Sequence, residues 1–171
     1  MSKKEILIWI PARGGSKRIP NKNIRNFLGK PLIAYAIEQG LACPIKGRVI
    51  VDTDSPKIAE ISKKYGAEVP FLRPAHLATD KAQGVDSLIY LLNQLKKQEN
   101  YQPDYVVILQ TTSPLREIED IKACWKMMRE TKAATVLTVC PTHPRLYYLS
   151  KHNDIILANG SEADSTNTQA W

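Results

Sequence analysis

An apolar run, ILIWI (6–10), leads without a spacer into the loop PARGGSKRIPNKN (11–23). A run that is apolar at every position suits a strand covered on both faces, because successive side chains point to opposite sides of a sheet. That fits the middle of a parallel sheet with helices on either side. The loop that follows is basic. Between Ile6 and Ile37 there is no Asp or Glu, while Arg13, Lys17, Arg18, Lys22, Arg25 and Lys30 all fall there. Of a formal net charge of +7, this window supplies +6; residues 1–5 add one more, and residues 38–171 balance to zero. Charge concentrated beside paired glycines points to a local anion. Phosphate oxygens need several N–H donors at close range, and glycine lets backbone come that near. In an open α/β sheet, a loop between strand and helix is the usual seat of a nucleotide phosphate.

The rest of the chain alternates strand and helix. PLIAYAIEQGLAC (31–43) has helical apolar spacing, with Pro31 in its first turn. RVIVDTD (48–54) reads as a second strand. Ser55 can cap the helix PKIAEISKKYG (56–66), which has Pro at its start and Gly at its end. AEVPFL (67–72) is short and extended, and VDSLIYLLNQLKKQ (85–98) carries an apolar helical stripe. DYVVILQ (104–110) is a further buried strand. EIEDIKACWKMMRETK (117–132) opens with acids and closes with bases, as a helix dipole favours, and ATVLTV (134–139) reads as one more strand. This βαβ repetition predicts one domain of the Rossmann-like α/β class, a mostly parallel sheet flanked by helices. After Val139 the pattern weakens, and NGSEADSTNTQAW (159–171) reads as an exposed loop or lid.

Composition narrows the function. At 171 residues with 43% hydrophobic and 24% charged residues, the chain has the make-up of a soluble globular domain. Its apolar runs are too short to span a membrane or to serve as a signal peptide, so the cytoplasm is the expected compartment. Cys43, Cys124 and Cys140 have no C-x-x-C spacing, and His76, His143 and His152 are scattered; free thiols are expected rather than a disulfide framework or zinc site. A pI near 9.3 raises nucleic-acid binding. The excess charge nevertheless sits in one loop with no aromatic before Phe27, whereas strand binding wants bases spread along a face with aromatics among them. No nucleic-acid partner is expected.

The loop matches neither G-x-x-x-x-G-K-[ST] nor G-x-G-x-x-G. With GKPLIAYAIE (29–38) after it, the loop resembles the start of the acylneuraminate (CMP-sialic acid) cytidylyltransferases. VDTDS (51–55), YGAEVPFLRPAHLATD (65–80) and LQTTSPLR (109–116) follow in the order that family shows. The family includes enzymes for related nine-carbon acids such as legionaminic and pseudaminic acid. The resemblance implies a glycosyltransferase-A-type nucleotidyltransferase fold and a homodimer. It implies a reaction in which the anomeric hydroxyl of a nonulosonic acid attacks the α-phosphate of CTP, giving a CMP-sugar and pyrophosphate with Mg²⁺ or Mn²⁺ assisting. Pyrophosphate leaves readily once its charge is neutralised, so the protein mainly supplies cations and alignment.

By motif position the resemblance implies that Arg13 and Lys22 hold the triphosphate, with Ser16 and the Gly14 and Gly15 amides as further donors. It also places Asn23 and Arg73 on the nucleotide, and Ala82 and Gly84 in the cytidine pocket through backbone alone. Gln110, at a strand end, comes near the reacting centre; Arg13, Lys22 and Gln110 are the expected catalytic set. Arg116 has two equal readings, substrate binding or neutralisation of Glu117 or Glu119. Two departures from the family pattern stand out. Lys81-Ala82-Gln83-Gly84 replaces small hydroxyl residues, and Thr111 stands where the family more often has proline, which would stiffen the loop.

Asp52-x-Asp54 imitates a metal-binding pair at a strand end, but Asp54 with Ser55 before Pro56 also fits a helix cap. The family's metal aspartates are expected beyond Trp171, so no metal ligand is expected within this chain. The chain is accordingly expected to be a fragment of low or no turnover. Two rival functions remain: a non-catalytic nucleotide- or polyanion-binding module, and a sugar-1-phosphate nucleotidyltransferase preferring UTP or dTTP.

Overall fold

The structure, a computed structural model, describes residues 4–139 together with the backbone of residues 147–149 and 155–157. The chain divides into two units, with the boundary between Val136 and Leu137. In the first unit β1 (Ile6–Pro11) is central. It is followed by a small antiparallel hairpin of β2 (Asn26–Phe27) and β3 (Lys30–Pro31), then α1 (Leu32–Ala42) and β4 (Arg48–Asp52). Helices α2 (Pro56–Lys64) and α3 (Gly84–Glu99), strand β5 (Tyr105–Ile108) and helix α4 (Ile118–Thr131) complete it. The main sheet is parallel with the order β4-β1-β5. Leu7 pairs with Arg48 and Pro11 with Asp52 on one side; Ile6 pairs with Tyr105 and Trp9 with Ile108 on the other. The segment after α2 adds a single parallel bridge outside β4, Ile50 with Glu68. The expected α/β class with a parallel sheet between helices is what the first unit adopts.

The apolar run of β1 is explained by its two covered faces. Ile6, Ile8 and Ile10 pack with Ile33, Ala36 and Ile37 of α1, Ile58 of α2 and Ile121 of α4. Leu7 and Trp9 point the other way and pack with Leu91 and Leu95 of α3. Alternation across the pleat therefore feeds two cores from one strand.

Helix ends follow local chemistry. Ser55 accepts a hydrogen bond from the Ile58 N–H at 3.4 Å, and Pro56 occupies the first turn of α2. Gly66, with φ +92°, ends that helix in the left-handed region that glycine tolerates. Glu117 and Asp120 form a reciprocal capping box at the start of α4.

One expected element is corrected. Residues 134–139 form no strand; Leu137 and Val139 are 69% and 83% exposed, and no ladder partner lies beside them among the described residues. High β-propensity expresses itself only where a neighbouring strand receives the backbone hydrogen bonds. The second unit contains an antiparallel hairpin of β6 (Tyr147–Leu149) and β7 (Ile155–Leu157), which the sequence pattern did not announce. The expected loop or lid at 159–171 lies outside the described residues. Cys43 is buried and Cys124 partly buried, both as free thiols; Cys140 lies outside the described residues. Among the described residues no helix is long and apolar enough to cross a membrane.

Candidate functional site

The parallel strands end together, and their C-terminal ends carry the basic loop after β1, Thr53–Ser55 after β4 and Leu109–Arg116 after β5. Ladder hydrogen bonds run slightly past each strand, from the Ala12 N–H to the Asp52 carbonyl and from the Leu109 N–H to the Trp9 carbonyl, both at 2.9 Å. This sheet edge is where an open α/β fold presents ligand contacts.

The basic loop is pinned at several points. The Gly14 N–H donates to Asp54 Oδ1 at 2.8 Å, and a β-carbon on Gly14 would stand 3.1 Å from that of Ser55. The Ser16 N–H turns back onto the Gly14 carbonyl at 3.0 Å. A 3₁₀ turn, Lys22–Ile24, closes the loop and buries Asn23. Asn23 donates through Nδ2 to the Arg13 carbonyl at 2.9 Å and accepts at Oδ1 from the Thr111 hydroxyl at 2.7 Å. At the other end of Arg13, Nη1 donates to the Thr79 carbonyl at 3.0 Å and Nη2 meets Asp80 at 2.9 Å. Lys17 also pairs with Asp80. The hydrogen bond from Lys17, then those from Arg13, hold the Asp80 carboxyl below its ordinary value. A single exposed carboxylate thus sits on two cations of the loop.

Arg73 is placed quite differently. It is buried, with Nε 2.9 Å from Asp52 Oδ1 and Nη2 2.8 Å from both Oδ2 and the Asp52 carbonyl. Trp9 Nε1 donates to the same carboxylate at 3.1 Å. These bonds use Nε and Nη2 of the guanidinium and take up both oxygens of a buried carboxylate.

The pair Asp52 and Asp54 does not act as one site. Asp52 belongs to Arg73 and Trp9, Asp54 to the Gly14 amide, and Ser55 rather than Asp54 caps α2. Among the described residues no group of three His, Cys, Asp or Glu is placed to hold a metal ion. Asp52 and Asp54, each committed to a different partner, therefore do not form a two-carboxylate cation site together.

Gln110 is exposed at the end of β5. Its carbonyl accepts from Arg116 Nη2 at 3.1 Å, while Arg116 Nη1 donates to Gln39 Oε1 at 2.8 Å. Gln39 Nε2 in turn donates to the Pro114 and Arg116 carbonyls at 2.9 and 2.7 Å. Arg116 thus ties the β5 loop to α1 and pairs with neither Glu117 nor Glu119. Its partial burial lowers its pKa. Lys22 is half-buried in the turn that closes the loop; Ala82 and Gly84 lie before and at the start of α3. The structure therefore gathers Arg13, Gly14, Gly15, Ser16, Lys22 and Asn23 in one loop and joins that loop to the residue after Gln110. Arg73 is tied instead to Asp52, at the C-terminal end of β4. Asp80 is the participant that motif reading passes over; the motifs present Asp54 as a metal-pair mimic or a cap, and Thr111 only as a departure from a family proline.

A family model described as "Cytidylyltransferase" matches residues 7–165. The chain belongs to the cytidylyltransferase family. Pseudaminic acid cytidylyltransferase of Campylobacter jejuni (strain 81-176) is 36% identical over 154 residues, covering 88% of this chain and 66% of the relative. CMP-N,N'-diacetyllegionaminic acid synthase of Legionella pneumophila is 41% identical over 136 residues, covering 80% and 58%. Among solved structures, CMP:2-keto-3-deoxy-manno-octonic acid synthetase complexed with CTP superposes with a TM-score of 0.64 at 26% identity, over 76% of this chain and 49% of that one. The chain thus spans less than two thirds of the length of the curated relatives it matches, and the resemblance seen in its motifs extends beyond residue 116.

Proposed function

We propose that this family member binds CTP through the loop after β1 and serves the transfer of CMP to a nonulosonic acid, with release of pyrophosphate. One observation carries the reading: the Arg13 and Lys17 side chains converge on a single exposed carboxylate, Asp80, at the ligand-bearing edge of the sheet. Two cations gathered on one exchangeable anion are suited to a phosphate that displaces it. The relatives named for pseudaminic and legionaminic acid support a nine-carbon acidic sugar as the acceptor.

In this reading Arg13 and Lys22 neutralise the β- and γ-phosphates as negative charge develops on departing pyrophosphate. The exposed Gln110 side chain lies where the sugar hydroxyl would approach. The Gly14 amide and Arg73 serve as scaffold, because both are already committed to aspartates. A divalent cation would supply further charge neutralisation at the phosphates, drawing its ligands from outside the described residues, and no step here depends on it. A homodimer and a cytoplasmic location, where CTP is made, belong to the same proposal.

The test is direct binding of CTP, ATP and RNA by calorimetry at two salt concentrations. Selective CTP binding that Arg13→Ala weakens by about tenfold or more supports the reading. RNA binding tighter than CTP, with a steep salt slope, overturns it in favour of a polyanion module.

A further inference from the structure

The hydrogen bonds of Asn23 admit one arrangement. The Arg13 carbonyl can only accept, so Asn23 must present its NH₂ group to it. Asn23 Oδ1 then faces Thr111, and the threonine hydroxyl must be the donor. Asn23 and Thr111 are 4% and 5% exposed, so water does not compete for these bonds. Removing the hydroxyl would strand a buried acceptor. The relay spans the ends of adjacent strands, from the residue after Gln110 beyond β5 to the loop after β1. It grips the Arg13 backbone, while Thr79 and Asp80 hold the guanidinium.

We propose that Thr111 is a positioning residue for nucleotide binding: through Asn23 it sets the place of the backbone from which Arg13 reaches the phosphates. This rests on the CTP reading above. It also gives Asn23 an indirect part, holding the loop rather than touching the ligand. Where related sequences carry proline at this position, stiffness comes from a fixed φ and no hydroxyl is offered. In this chain the order comes instead from a side-chain hydrogen bond, made by a β-branched residue with few rotamers.

The test measures CTP binding to the full chain as wild type, Thr111→Val, Thr111→Ser and Arg13→Ala, and to the Thr111→Val variant in the Arg13→Ala background. Valine keeps shape and removes the donor; serine keeps the donor. The expected result is an affinity about five- to tenfold weaker for Thr111→Val, the worth of one buried hydrogen bond. Thr111→Ser is expected within about twofold of wild type, a rescue that a purely packing role would not produce. Once Arg13 is gone, Thr111→Val should cost less than about twofold, since its effect runs through that side chain. If Thr111→Val does not fold, Thr111→Ala replaces it, with the same loss expected. Wild-type affinity in a folded valine or alanine variant, failure of serine to rescue, or an undiminished loss in the Arg13→Ala background overturns the proposal. Absence of CTP binding by the wild-type chain overturns the function reading, and the proposal with it. Wild-type binding beside an unaffected Thr111→Val overturns this inference alone.

Discussion

Arg13 and Arg73 each lie against an aspartate at nearly the same distance, 2.9 and 2.8 Å, but in opposite surroundings. The Arg13 and Asp80 side chains are 36% and 42% exposed; those of Arg73 and Asp52 are 6% and 4% exposed. At the surface, water and salt compensate each partner, so the pair contributes little and separates readily. In the interior neither partner has an alternative, and the pair behaves as part of the core. Proximity to an aspartate therefore does not decide whether an arginine is available to a ligand; burial does. The exposed pair can exchange its carboxylate for a phosphate. The buried one joins β4 to the segment before α3.

The widest separation between the two pairs should come from Asp52→Ala. It leaves the Arg73 guanidinium buried without its partner, and urea unfolding is expected to show a loss of about 3–5 kcal/mol. Next is Arg13→Ala. It should change stability by less than about 1 kcal/mol, yet weaken CTP binding by about tenfold or more, as loss of a charge-assisted hydrogen bond does. A comparable loss of stability in both variants would break the contrast.

Gly14→Ala tests how far the loop is fixed by its neighbours. The added β-carbon meets Ser55 at 3.1 Å, whereas one on Gly15 meets nothing within 4 Å. Thermal melts should show about 1 kcal/mol lost for Gly14→Ala and no loss for Gly15→Ala. A selective drop in CTP affinity for Gly15→Ala would mark the ligand's side of the loop.

The smallest effect is expected from Asp80→Asn. Removing the competing carboxylate should tighten CTP binding by about two- to threefold at low salt, with the gain fading at high salt. Acid should act in the same direction. Lys17 and Arg13 hold the Asp80 carboxyl below its ordinary value, so the tie is intact at neutral pH and persists to lower pH than an unpaired carboxylate would allow. It is lost only as pH falls through that lowered value. Amide exchange across residues 13–17, followed against pH, would detect the release.

Much of the fold could be read from residue patterns because those patterns are local. The covered strand at 6–10 and the helices beginning near Leu32, Pro56, Gly84 and Ile118 each announce themselves by periodicity or capping. The run at 134–139 misled because strand propensity needs a neighbour that the pattern cannot supply. In the site, the basic glycine loop was evident for the same local reason. The partners of its members were not. Asp54 reads as a cap but serves the Gly14 amide 40 residues away, and Arg116 passes over its adjacent glutamates for Gln39 in α1.

The amino-acid order by itself determined that a parallel α/β sheet forms and that its first strand ends in a cationic, glycine-bearing loop. Backbone pairing, side-chain alternation and net charge are properties of neighbouring residues. Tertiary structure alone decided which cations stay exchangeable and which residues hold the loop in shape. Those outcomes depend on burial and on contacts such as Thr111 with Asn23, 88 residues apart in the chain. Removal from water turns a weak surface contact into a fixed part of the scaffold, and only the folded chain decides which groups are removed.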